Sequence, residues 1–175
     1  MNEQGKHKKH NISAFTLVEI LIVVVILGIL AAVVIPFASG SVLSSQESSL
    51  GIDLQLLKRF ALIYKIHHLD VTPGYTDGAG SAVDEQTFVN QATLASNDAG
   101  QTAAVGTAGY ERGPYMQMIP VNPLNKLRTV QMIGDGESFP TDGDNSHGWV
   151  YKASTGEVRA DSPGTDKNGT RYYDY

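Results

Sequence analysis

Residues 15–37 read FTLVEILIVVVILGILAAVVIPF, and Glu19 is the only charge among them. From Ile20 to Phe37 no side chain is charged or strongly polar. At 1.5 Å of rise per residue the stretch spans roughly 34 Å as a helix, enough for a hydrocarbon core of about 30 Å. A buried helix of a water-soluble domain rarely runs so long without a polar position. Ahead of it, residues 1–14 (MNEQGKHKKHNISA) set Lys6, Lys8 and Lys9 against Glu3. Basic residues before the span and an acidic chain after it put the N-terminus in the cytoplasm and the remainder outside, with lipid around the span.

A cleaved secretory signal fits this outline poorly. Ala38-Ser39-Gly40 has the small residues of a cleavage site, but the apolar run before it is too long and contains Pro36. Glu19 argues against an ordinary anchor as well. A carboxylate in an apolar membrane helix costs on the order of 2–3 kcal/mol near the centre, so it is retained for a partner. It lies four residues after Phe15, one turn along the same face. A cut before Phe15 creates an α-amino group one turn away. Between chains offset along a stack, each Glu19 can neutralise the next subunit's amine in a dry core.

Ala14-Phe15-Thr16-Leu17-Val18-Glu19, after a short basic leader and before an apolar helix with Pro36, resembles the class III signal of type IV pilins and type II secretion pseudopilins. The resemblance implies cleavage between Ala14 and Phe15 by a prepilin peptidase, N-methylation of Phe15, and assembly through Phe15, Glu19 and Pro36 in a filament core. The family usually has glycine before the cut, where this chain has the small Ala14. Within the run, Gly28 and Ala32 form a small-x-x-x-small pair that permits close helix approach. Pro36 removes a helical hydrogen bond, so a kink is expected near residues 32–36.

Beyond the run, Leu43, Leu50, Leu54, Leu57, Ala61 and Tyr64 make one apolar stripe, which predicts an amphipathic helix over residues 38–68. Gly40 and Gly51 weaken it by about 1 kcal/mol each relative to alanine. His67-His68 sits where the helix dipole favours a cation, and no acidic ligand spacing accompanies it. A short helix is expected over 85–94, a mobile small-residue loop over 95–109, and a pinned extended connection over 113–124. Residues 128–133, 149–153 and 158–160 carry strand signals, the last two joined by the turn Ser154-Thr155-Gly156-Glu157. These predict a small antiparallel sheet. The order Gly-Pro-Tyr, Pro-x-Asn-Pro, Gly148-Trp149-Val150-Tyr151 and Thr155-Gly156-Glu157-Val158 also resembles the major-pseudopilin layout.

Enzyme and nucleic-acid readings fail on the residues. There is no GxSxG, P-loop, HExxH or dinucleotide turn. The absence of cysteine removes thiolate chemistry and disulfides. Eighteen acidic against thirteen basic residues leave no basic footprint for nucleic acid. The resemblance to major pseudopilins implies a structural calcium in the C-terminal loops. The loops here match the family's calcium pattern poorly, so Asp142, Asp144, Asp161 and Asp166 are read as a solvated acidic surface, with no metal ligand or cofactor assigned.

The sequence thus predicts an α+β, pilin-like fold in four parts. These are a basic leader (1–14), a transmembrane or filament-core helix (15–37), an amphipathic stem helix (38–68) and a loop-rich globular region with a C-terminal sheet (69–175). The function expected is that of a structural subunit of a type II secretion pseudopilus or related type IV pilus-like filament. Its expected partners are itself, other pilin-like subunits, the prepilin peptidase, an inner-membrane assembly platform and lipid. It is expected in the inner membrane with its C-terminal domain periplasmic, and in the filament after assembly. The alternative is a single-pass anchored extracytoplasmic binding module that does not polymerise.

Overall fold

The structure, a computed structural model, describes residues 15–175 apart from the side chains of residues 34–40. The leader, Ala14 and the side chain of Pro36, with the kink expected around it, lie outside the described residues. The fold is α+β, as the sequence predicts. Helix α1 is Leu17–His67 and helix α2 is Glu85–Thr93. Five short strands follow: β1 Ala95–Ser96, β2 Thr102–Ala103, β3 Val130–Ile133, β4 Trp149–Lys152 and β5 Glu157–Ala160. A 3-10 turn, Tyr172–Asp174, comes last. The chain divides into two compact units, residues 1–43 and 44–175.

In the second unit the helical stripe does what its spacing predicts. Leu50, Leu54, Leu57, Ala61 and Tyr64 are buried, and Phe60 joins them between the Leu57 and Tyr64 positions. They share one core with Phe88 and Ala92 of α2 and with Val130, Trp149, Tyr151, Val158 and Ala160 of the sheet. Leu43, expected in the stripe, is exposed. α1 ends where Leu69 and Asp70 turn left-handed (φ 55° and 67°) and the Asp70 amide donates to the Lys65 carbonyl at 3.1 Å. α2 begins at an Asp84 cap, whose carboxylate accepts the Thr87 amide at 2.8 Å.

The main sheet has the order β3-β4-β5. β4 and β5 pair antiparallel across the expected turn, but β3 pairs parallel to β4, with Val130 opposite Trp149. The sheet is therefore mixed rather than antiparallel. A parallel return needs a connection of about a dozen residues or more, and residues 134–148 supply it. Both faces of β4 are covered. Trp149 and Tyr151 face the helices, while Val150 packs with Ile133, Tyr173 and Phe139 on the other side. The Arg159 guanidinium lies 4.3 Å over the Phe139 ring. Residues 95–109, expected as a mobile loop, instead contain the β1–β2 hairpin. The Asn97 side chain closes it by accepting the Ala99 and Gln101 amides at 3.1 and 3.0 Å.

Candidate functional site

The start of α1 is built by two side chains of the motif itself. Thr16 precedes the first helical residue, and its hydroxyl accepts the Glu19 amide at 3.2 Å. Glu19 reaches back, and its Oε2 accepts both the Thr16 amide and the Thr16 hydroxyl at 2.8 Å. This is a reciprocal capping box, the T-x-x-E pattern at a helix start. A negative charge in the first turn also suits the helix dipole. The pattern stands in the sequence as Thr16-Leu17-Val18-Glu19. The pairing expected of Glu19 with an α-amine uses the charge of this side chain, and the capping box uses its hydrogen-bonding oxygens as well. The carboxylate is thus held one peptide unit from the Phe15 nitrogen.

Phe15 is 77% exposed, and every described residue from there to Val33 is exposed on all sides of the helix. A helix apolar all round is stable only where another apolar phase surrounds it. Among the described residues, however, no helix is long and apolar enough to cross a membrane. The described apolar part, residues 17–33, spans only about 25 Å as a helix. The full span expected over 15–37 includes side chains outside the description. Of the expected site residues, Phe15 stands exposed just before α1 and Glu19 lies in its first turn.

The two histidines part company. His67 Nδ1 shares a hydrogen bond with the Tyr115 hydroxyl at 3.0 Å. His68 is buried, stacked 3.7 Å from the Tyr64 ring, and donates from Nδ1 to the Tyr64 carbonyl at 2.7 Å. Its Nε2 accepts the Ser96 hydroxyl at 3.0 Å. Burial, ahead of the other influences, lowers its pKa from the ordinary histidine value. Both side chains thus tie the end of α1 to neighbouring segments, His67 to Tyr115 and His68 to Ser96.

The connection over 113–124 leads into a polar hub that sequence reading saw only as a pinned segment. Asn122 is fully buried; its Oδ1 accepts the Leu124 amide at 2.9 Å and its Nδ2 donates to the Gly148 carbonyl at 2.8 Å. Asn125 donates to the carbonyls of His147 and Asp161 at 2.7 and 2.8 Å. Gly148 lets the Leu127 main chain lie close beside it, since a Cβ there would collide with the Leu127 carbonyl. Asp161, expected on a solvated surface, is instead 2% exposed and lies inside the same network.

Residues 9–35 match the family model of the prokaryotic N-terminal methylation motif. The chain is also similar to the type II secretion system core protein G of Aeromonas hydrophila. The two are 27% identical over 130 residues, covering 74% of this chain and 78% of that protein. No solved structure matches the chain significantly. The resemblance to pilin-like proteins and pseudopilins read from Phe15, Glu19 and the leader therefore stands, and it points to a structural protein rather than an enzyme.

Proposed function

We propose that this chain is a subunit of a type II secretion pseudopilus or related type IV pilus-like filament. In this reading it is inserted in the inner membrane with its leader cytoplasmic, cut between Ala14 and Phe15, and methylated on the Phe15 amine. The subunit then leaves lipid for a helical core made of its own copies and other pilin-like subunits, driven by an assembly platform. One observation carries the reading: a helix apolar on every side begins within the residues that match the methylation motif. Such a helix has no stable place in water, and a filament core and a bilayer both accept it. In the second unit Ile52, Leu56, Leu62 and Ile66 remain exposed on α1, apolar area of the kind that subunit packing covers.

The capping box sharpens what Glu19 does. A carboxylate that only caps its own helix suits the rival reading, an anchored module that never polymerises. A carboxylate that also neutralises a Phe15 amine suits the filament. Glu19→Gln separates the two, because glutamine satisfies the same capping box without the charge. Charge pairing requires that Glu19→Gln and Glu19→Val both leave processed protein in the membrane and assemble little fibre. Glu19→Asp should be intermediate, with its reach shortened by one methylene. The measurement is sheared fibre, or secreted cargo, beside processed subunit in the membrane. Normal fibre from Glu19→Gln would show that capping is the residue's whole role.

A further inference from the structure

The carboxylates of the C-terminal loops stand outside the filament reading, and their geometry speaks to how these loops are closed. Asp161 follows β5 and is buried, with both oxygens occupied. Oδ1 accepts the Asp144 amide at 2.7 Å. Oδ2 accepts the His147 amide at 2.7 Å and the Ser146 hydroxyl at 3.2 Å. Asp144 in turn accepts the Ser146 amide at 2.8 Å. Gly143 lets this loop lie against the chain after β5, since any side chain there would overlap the Ser162 amide nitrogen.

A second closure repeats the device. Asp166 Oδ1 accepts the amides of Asn168 and Thr170 at 2.8 and 2.9 Å. Its Oδ2 accepts the Tyr175 hydroxyl at 2.9 Å. Arg171 then joins the two regions, gripping Asp174 with two nitrogens and donating to the Thr141 carbonyl at 2.9 Å.

A calcium ion needs six to eight oxygens turned toward it. Here the carboxylate oxygens are turned toward N–H and O–H donors, whose partial positive charge occupies the place a cation would take. Among the described residues no three Asp, Glu or His side chains gather where they could hold a metal ion. The donor set does not fit the calcium that the resemblance implies. We propose that the C-terminal loops of this chain are closed by the Asp161 and Asp166 carboxylates on main-chain amides in place of a divalent cation, so the exposed domain keeps its fold independently of calcium. This holds whether or not the chain polymerises.

The test uses the full-length chain in detergent, with thermal unfolding followed by the fluorescence of its one tryptophan, Trp149, which is fully buried. The wild-type midpoint should be the same in millimolar calcium and in excess EGTA. Asp161→Asn, whose amide must turn a donor toward either the Asp144 or the His147 N–H, should lower the midpoint by several °C equally in both buffers. Limited proteolysis of the wild type in both buffers gives a second readout if that variant does not fold. A wild-type midpoint raised saturably by calcium would overturn the proposal. So would loops that become cleavable in EGTA and are protected again by calcium. An Asp161→Asn chain as stable as the wild type would also overturn it.

Discussion

His68 shows what one side chain can impose. Its imidazole sits between the Tyr64 ring and Ser96, donating at Nδ1 and accepting at Nε2, an arrangement that belongs to the neutral ring. Burial lowers its pKa in the folded chain, the neighbouring His67 and Arg112 charges act the same way, and the Tyr64 carbonyl and Asp98 oppose them. A histidine with a lowered folded pKa binds its proton more readily when unfolded, so stability is kept above about pH 6.5 and lost as pH falls below it. The unfolding midpoint should therefore drop between pH 7 and pH 5, and His68→Gln should flatten that part of the profile. An unchanged slope in His68→Gln would assign the effect elsewhere. Glu19 likewise caps its own helix, its carboxylate accepting the amide of Thr16, the residue after Phe15.

Among the elements, α1 was the most legible in the sequence. Positions 50, 54, 57, 61 and 64 repeat with the helical period, and local periodicity is enough to name a buried face. Leu43 fits the same period yet stays exposed, because the core that would cover it does not reach that far. β4 and β5 were legible too, since the Thr155-Gly156 turn is a local signal. The parallel pairing of β3, the β1–β2 hairpin and the burial of Asp161 were not. The first and last depend on partners far along the chain, Val130 on Trp149 and Asp161 on residues 144–147, whereas the hairpin is closed locally by Asn97 within a tract of small residues that carries no strand pattern. The capping box, by contrast, is a local pattern that Thr16-Leu17-Val18-Glu19 carries in full.

Gly51 gives the helix its own test. It lies inside α1, and a Cβ placed on it meets nothing within 4 Å. Gly51→Ala should therefore stabilise the exposed domain by about 0.5–1 kcal/mol, through lower chain entropy in the unfolded state. Chemical denaturation of the two proteins measures it. A destabilised Gly51→Ala would mean that this turn of helix must stay easy to open.

For the molecule as a whole, two different physical problems meet in one chain. Residues 44–175 form a compact unit with a core of aromatic and aliphatic side chains. Residues 15–33 expose apolar side chains on every side of a helix, a surface that water does not favour. In the function we propose, the second problem is solved first by a membrane and then by a filament, with processing at Phe15 marking the passage between them. Mass spectrometry of the protein purified from the membrane of its own cells tests this most directly. The expected mass is that of a chain that begins at Phe15 and carries one added methyl group on its α-amine. An N-terminus still at Met1, or one beginning after Gly40, would contradict it.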